Sequence, residues 1–131
     1  MRYLFSLAFL AMILISCKKD PDKAWDGIYQ GTFQRQFGVT GTISSVTLTF
    51  SSDGFIGQSQ FPKYPALCHG TYSLAPNKII FQNECAWTAD FDGSLILSGE
   101  YALDVTGDSL IFHKSYNGTI FTQDIYKLKK Q

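Results

Sequence analysis

Apolar and polar residues alternate with a period of two along most of the chain. Val46, Leu48 and Phe50, for example, alternate with two threonines and a serine. A helix would scatter these apolar side chains around its axis, whereas a strand places them all on one face. The pattern therefore predicts β-strands, each with one face toward a core and one toward water.

Eight segments follow this pattern, and turn residues separate them. We predict strands over residues 28–37, 46–51, 55–61, 69–74, 78–82, 95–105, 109–114 and 119–128. The sequence Ser52-Asp53-Gly54 predicts a tight hairpin turn between the second and third strands. No capped apolar helix is predicted after the first 16 residues, so the domain is expected to be all-β.

The number of predicted strands indicates whether the sheet is open or closed. An open sheet of eight antiparallel strands would leave two exposed edges and an unsealed apolar face. Closure into a barrel removes both. We therefore predict an eight-stranded antiparallel up-and-down barrel over residues 25–131. A β-sandwich is the alternative, because periodicity alone does not distinguish it from a flattened barrel.

The start of the chain has a different pattern. Arg2 is followed by residues 3–15, which are apolar except for Ser6. This run is shorter than the roughly 20 residues that span a bilayer, and it predicts a signal peptide over residues 1–16. The sequence Leu14-Ile15-Ser16-Cys17 resembles the lipobox of bacterial lipoproteins, which implies that Cys17 is acylated and becomes the new N-terminus. An ordinary secretory signal followed by a chance cysteine is the alternative.

Residues 17–24 are polar and interrupted by Pro21, so they predict a tether between the lipid and the domain. Their charged start, Lys18-Lys19-Asp20, resembles the segment after the cysteine in some surface-exported lipoproteins of Gram-negative bacteria. The resemblance implies a lipid-anchored protein of the outer membrane, on its periplasmic or surface face. A solvated spacer explains the same residues.

Charge and cysteine content narrow the classes of partner. Without Arg2, ten basic residues face eleven acidic ones, which gives no electrostatic reason to expect nucleic acid. Besides Cys17, the chain contains Cys68 and Cys85, and an exported protein is expected to join them in a disulfide. The alternatives are a redox-active thiol or a metal site with His69. We predict no metal and no cofactor.

The residues just before the first strand carry a family resemblance. Residues 25–31, Trp-Asp-Gly-Ile-Tyr-Gln-Gly, are similar to the opening of lipocalin-like barrels, in which a tryptophan plugs one end. With eight sequential strands, the chain resembles the calycin group of lipocalins, fatty-acid-binding proteins and avidins. Lys23 stands where a lipocalin has glycine, and the final helix and the Thr-Asp-Tyr turn of lipocalins are missing from the pattern. The sequence Cys68-His69-Gly70-Thr71-Tyr72, with Asn83-Glu84-Cys85, resembles short lipocalin-like bacterial lipoproteins, for which no activity is implied.

Candidate catalytic residues are sparse. The chain has two histidines, His69 and His113, and lacks Gly-x-Ser-x-Gly, His-Glu-x-x-His and phosphate-cradling motifs. A hydrolase needs a nucleophile, a base and an orienting group together, so we predict that the protein is not an enzyme. The sequence Asp90-Phe91-Asp92-Gly93 offers carboxylate oxygens for calcium but is too short to wrap the ion, and a turn explains it as well.

The aromatic content is the strongest indication of a binding role. Of 20 aromatic residues, 17 follow residue 16. Such side chains either line a cavity for an apolar ligand or fill an eight-stranded barrel completely. If they line a pocket, we expect Trp25, Phe33, Tyr72, Trp87 and Tyr101 to contact the ligand. The predicted function is a membrane-anchored, non-enzymatic binding module for a small apolar ligand.

Two alternatives involve a protein partner. One is an interaction module such as an inhibitor of lysozyme or another envelope hydrolase. The sequence Ser98-Gly99-Glu100-Tyr101 resembles the Ser-Gly-x-x-Tyr motif of small lipoprotein lysozyme inhibitors, with one residue fewer. The other is a passive envelope component whose partner is another surface protein.

Overall fold

A computed structural model describes residues 25–131 as one closed barrel. Its eight strands are β1 (Gly27–Phe37), β2 (Ile43–Ser51), β3 (Gly54–Ser59), β4 (His69–Ala75), β5 (Lys78–Asn83), β6 (Gly99–Thr106), β7 (Ser109–Tyr116) and β8 (Thr122–Lys130). Each strand pairs antiparallel with the next, and β8 pairs with β1. The predicted up-and-down barrel is confirmed. The predicted signal peptide and tether, residues 1–24, lie outside the described residues.

The sixth strand is shorter than the sequence pattern predicts. We expect a strand over residues 95–105, and this is wrong for its first part, because β6 begins at Gly99. The residues before it form a short 3₁₀ helix, Gly93–Leu95, capped by the Asp92 side chain. Leu97 is buried, but it belongs to a loop that packs over the barrel, where its N–H donates to the carbonyl of Ala66. Alternation in this segment therefore reflects loop packing and not a strand.

Inward-facing side chains from every strand fill the barrel. Neighbouring aromatic rings contact one another with centroids between 4.6 and 6.4 Å apart. Edge-to-face and stacked pairs of this kind each contribute about 0.5–1.5 kcal/mol beyond the burial of their area. The core consists of Tyr29, Phe33, Val46, Leu48, Phe50, Phe55, Tyr72, Ile79, Phe81, Tyr101, Leu110, Phe112, Tyr126 and Leu128.

The two ends of the barrel differ. At the closed end, turns of two residues join the strands at positions 52–53, 76–77 and 107–108. Trp25 plugs this end, as the lipocalin-like opening implies: its ring lies 5.7 Å from that of Phe50 and stacks 6.2 Å from that of Tyr72. The last residue, Gln131, lies here too, since its N–H donates to the carbonyl of Ile28 at 2.9 Å.

Longer connections lie at the opposite end, which we call the loop end. They cover residues 38–42, 60–68, 84–98 and 117–121. Within residues 25–131, no helix is long and apolar enough to cross a bilayer. Because of these four connections, the loop end is the least regular part of the described barrel.

The seam between β1 and β8 needs a glycine. A Cβ atom on Gly31 would lie 1.8 Å from the carbonyl oxygen of Lys127 on β8, which is far inside van der Waals contact. Because both atoms belong to the backbone or are fixed to it, a side chain at this position would push the two strands apart. Gly31 thus permits the close approach that shuts the barrel.

We predict that Gly31→Ala lowers the free energy of unfolding by about 1–3 kcal/mol, since overpacking a tight contact has that cost. Urea denaturation followed by circular dichroism measures the difference. Gly93→Ala is the matched control, because a Cβ there meets no atom within 4 Å. Equal stabilities of the two variants would contradict the role given to Gly31.

Candidate functional site

A buried ion pair joins the first and last strands at the loop end. Arg35 on β1 is 6% exposed and Asp124 on β8 is 1% exposed, and they face each other in the β1–β8 register. Arg35 Nε donates to Asp124 Oδ1 at 2.6 Å, and Nη2 donates to Oδ2 at 2.8 Å. Two parallel hydrogen bonds between a guanidinium and a carboxylate are a strong and directional pairing.

Side chains from β7 and from the loop 84–98 complete this network. The Tyr116 hydroxyl donates to Asp124 Oδ2 at 2.8 Å, and its ring lies 5.2 Å from Arg35 Cζ. Arg35 Nη1 donates to Asp92 Oδ2 at 2.9 Å and to Ser94 Oγ at 3.0 Å. One guanidinium therefore holds β8 to β1 and also fastens the loop 84–98 over the mouth of the barrel.

The protonation states follow from these contacts. The hydrogen bond with Asp124 raises the pKa of Arg35, although burial acts in the opposite direction. Hydrogen bonds from Ser94 lower the pKa of Asp92, with a smaller contribution from Arg35. Burial, together with the hydrogen bond to Asp124, raises the pKa of Tyr116 to about 12. At neutral pH Arg35 is therefore a cation, the side chain of Asp92 is a carboxylate and Tyr116 is a neutral phenol.

The buried polar atoms of the network are satisfied within the protein. Among residues 25–131, no buried side-chain nitrogen or oxygen lacks a hydrogen-bond partner. The Arg35 guanidinium binds both carboxylates of the network, of which that of Asp124 is buried and that of Asp92 is 59% exposed. Sequence analysis missed the network, although the alternation that points Phe33 into the core also points Arg35 inward.

Large apolar side chains are exposed at the loop end, on three neighbouring loops and on the strand residues that border one of them. We call this set the apolar rim, and its members, between 40% and 90% exposed, are Phe37, Val39, Ile43, Phe61, Ile120 and Phe121. The loops adjoin: Gly38 N–H donates to the Phe121 carbonyl at 2.9 Å, and Tyr64 Oη donates to the Thr42 carbonyl at 3.0 Å. The three loops that carry the rim therefore lie side by side.

The chain segments that carry the side chains of the apolar rim contain no charged residue. Residues 36–52, 54–62 and 115–123 contain no Lys, Arg, Asp or Glu. Within the rim lies a small depression of about 230 Å³, lined by Thr42, Phe61 and Tyr64. The Tyr64 ring packs edge-on against the core ring of Phe33, with centroids 5.2 Å apart. This part of the loop end is suited to a neutral, apolar group.

A second concave surface lies where β3 and β4 part. Their ladder reaches only from Gly54–Thr71 to Ile56–His69. Beyond it lies a groove of about 470 Å³, which we call the Trp87 groove. Its lining residues are Gly57, Gln58, Ser59, Pro62, Lys63, Leu67 and Trp87.

A disulfide holds two loops beside this groove. Cys68 and Cys85 are bonded, with Cα atoms 6.3 Å apart, and the predicted pairing is confirmed. The bridge closes a loop of 17 residues, which stabilises a fold by about 3 kcal/mol in the chain-entropy account. Within the described residues, the His69 imidazole approaches both sulfurs, with all three ligand atoms within 4.8 Å of one another. The disulfide engages both sulfurs, so in this form the group is a covalent bridge beside an exposed histidine.

The predicted ligand residues fall into three places. Trp25 and Tyr72 stack at the closed end. Phe33 and Tyr101 both contact Tyr126 in the core, with centroids 4.9 and 6.0 Å away. Trp87 is half-buried and lines the Trp87 groove. The structure therefore does not gather these side chains around one cavity.

Other residues singled out in the sequence have structural partners. Asp90 binds Lys63 at 2.9 Å, and Asp92 binds Arg35, so the acidic turn is held by cations of the chain itself. The Tyr101 ring in the Ser98–Tyr101 motif is 1% exposed. His69 on β4 and His113 on β7 lie on strands separated by two others.

The barrel is compatible with a lipocalin-like fold. Comparisons with protein-family models, with curated proteins and with solved structures find no match to this chain.

We predict that Arg35→Met lowers the free energy of unfolding by about 3–5 kcal/mol, because it leaves the Asp124 carboxylate buried without its cation. The double variant Arg35→Met/Asp124→Leu should lose less than the sum of the two single variants, since neither charge then stays unpaired. Guanidinium denaturation of the four proteins completes the cycle. Strict additivity would show that the pair does not act as a unit.

Proposed function

We propose that this protein is a membrane-anchored, non-enzymatic binding module that holds an apolar group of its ligand at the apolar rim. The observation that supports this is the distribution of large apolar side chains. Those on the inner faces of the strands pack against each other, while six others lie exposed together at the loop end. Contiguous exposed apolar surface on a small domain is a common mark of a binding site.

The rim is a better site for an apolar ligand than the interior. A ligand inside the barrel would have to separate rings that already touch, such as those of Phe112 and Tyr126, stacked with centroids 4.6 Å apart. It would also have to pass the loop that Arg35 fastens over the mouth through Asp92 and Ser94. At the rim, an apolar group meets exposed side chains without disrupting either arrangement.

The size of the depression and the charge around it indicate which chemical group would fit there. The depression of about 230 Å³ is smaller than the roughly 300–1,000 Å³ of sites that enclose a whole drug-sized molecule. It suits a single ring or a branched alkyl group carried by a larger neutral molecule. A charged group would lose hydration there, and the one charged residue of the loop 60–68, Lys63, is already paired with Asp90.

The proposed lipid anchor would orient the rim away from the membrane. Trp25, the first described residue, lies at the closed end, and residues 17–24 span at most about 27 Å when extended. A strand of 11 residues such as β1, tilted as in barrels, makes the barrel about 28 Å tall. Acylation at Cys17 would therefore hold the closed end toward the bilayer and present the rim to molecules outside it.

Two observations support a role without catalysis. His69 and His113 lie on strands separated by two others, and no sequence motif supplies a nucleophile with a base beside it. In the charged cluster around Arg35, the buried side-chain atoms all have hydrogen-bond partners within the protein. We therefore expect the protein to bind its ligand without converting it.

Uptake of the neutral dye Nile red tests the rim. We expect the triple variant Phe37→Ser/Ile120→Ser/Phe121→Ser to bind the dye about tenfold more weakly than the parent, since it removes three exposed apolar contacts. The matched control is Ile28→Ser/Ile56→Ser/Ile80→Ser, which makes the same kind of change on the barrel wall and should leave binding unaltered. No uptake by the parent protein, or equal losses in both variants, would refute the rim as the site.

The anchor is tested separately by expression in a Gram-negative host fed labelled palmitate. We expect label and membrane recovery with the full chain, and loss of both in Cys17→Ser, because the thiol is the acylation point that the lipobox resemblance implies. The Cys68→Ser/Cys85→Ser variant should keep its label. Labelling that survives Cys17→Ser would rule out this anchor.

A further inference from the structure

The Trp87 groove combines a fixed indole ring with hydrogen-bonding side chains. Trp87 Nε1 donates to Asn83 Oδ1 at 3.2 Å, and Asn83 Nδ2 donates to the Cys85 carbonyl at 2.8 Å, next to the disulfide. The ring also packs edge-on against Phe91, with centroids 5.8 Å apart. The indole thus stays in place without a ligand, so little ordering entropy is lost when one binds.

The charges beside the groove neutralise each other. Lys63 Nζ donates to both carboxylate oxygens of Asp90, at 2.9 and 3.2 Å, and to Thr88 Oγ1 at 3.2 Å. It also lies 4.9 Å from the centroid of the Phe91 ring. A charged ligand would have to break this pair to gain a partner, so the groove is suited to a neutral one.

Polar side chains of β3 line the groove together with the indole. Gln58 is exposed and lines the groove, where its amide offers both a donor and an acceptor. The Ser59 hydroxyl shares its one hydrogen between the carbonyl oxygens of Phe61 and Pro65, each 2.9 Å away. The hydroxyl oxygen remains able to accept a hydrogen bond. A purely apolar ligand would desolvate these groups without replacing their hydrogen bonds.

We propose that the Trp87 groove binds a neutral saccharide. The C–H face of a sugar ring packs on the indole of Trp87, and its hydroxyls bond to the Gln58 amide and the Ser59 oxygen. The volume of about 470 Å³ lies within the range of small-molecule sites. This site is distinct from the apolar rim and does not depend on a ligand there.

The chain has two tryptophans, so a ¹⁵N-labelled sample has two indole N–H signals. The probes are maltotriose, cellotriose, mannotriose and triacetylchitotriose, each added up to about 50 mM, where a site with a millimolar Kd is occupied. We expect at least one probe to shift the Trp87 signal saturably and to leave that of Trp25, which lies at the closed end, unmoved. No saturable shift with any of the four overturns the proposal.

Variants separate the groove from the rest of the molecule. Trp87→Ala lacks the indole signal, so its binding is followed by the backbone amide signals of β3, and we expect saccharide to leave these signals unshifted. Gln58→Ala changes a residue on the surface, away from the core, and should weaken binding about tenfold. It tests the groove even where Trp87→Ala does not fold. Gln30→Ala, which removes an exposed amide from β1, is the matched control and should bind as the parent does.

The rim variant Phe37→Ser/Ile120→Ser/Phe121→Ser should also bind the saccharide normally, so failure of the rim proposal leaves this one standing. Binding that persists in Trp87→Ala, or that is lost in the rim variant, overturns the assignment of this groove.

Discussion

Pairing of β8 with β1 is the constraint on which the rest of the structure depends. Without it, the eight strands would form an open sheet with two free edges and an apolar face in water. The sequence secures the seam in two ways: Gly31 lets the backbones approach, and the Arg35–Asp124 pair bridges the same two strands near the loop end. Within an ordinary strand, a glycine or a buried ion pair would lower stability. In this protein both features lie at the seam and help β8 to pair with β1.

The seam also determines where apolar surface remains. Along β1, successive inward positions run from Tyr29 in the core through Gly31 and Phe33 to Arg35 at the mouth. Because Arg35 holds the loop 84–98 across that mouth, the core is sealed by protein groups. Apolar side chains beyond this layer have no interior left to enter, and they form the apolar rim. The disulfide and the indole of Trp87 shape the same end on its other side.

Strand alternation carries most of what the sequence can predict. It identifies the eight strands, and their number makes closure the simplest way to cover both edges. The Cys68–Cys85 bridge is expected from a different pattern, the predicted export signal, because exported proteins commonly join paired cysteines. Strand alternation fails at Leu95 and Leu97, because a loop that packs one side on a core also alternates. It also cannot tell whether inward rings such as Phe33 and Tyr101 line a cavity or fill it, since that depends on their contacts across the barrel.

The surface sites were the least predictable. Trp87 lies in a loop whose position is set by a disulfide and by the divergence of β3 from β4, and neither has a local pattern. The alternation along β1 places Arg35 at an inward position, but a buried arginine is explained only by its partner Asp124, which lies 89 positions later in the sequence. Partners that far apart become visible only when the topology is known.

That separation along the chain also governs when the molecule can form. The strand that shuts the barrel follows the other seven along the chain, so β1 lacks one hydrogen-bonded neighbour until β8 has been made. Contacts between residues so far apart in sequence form slowly. We therefore expect closure of the β1–β8 seam to be a late step of folding, after the hairpins between consecutive strands have formed.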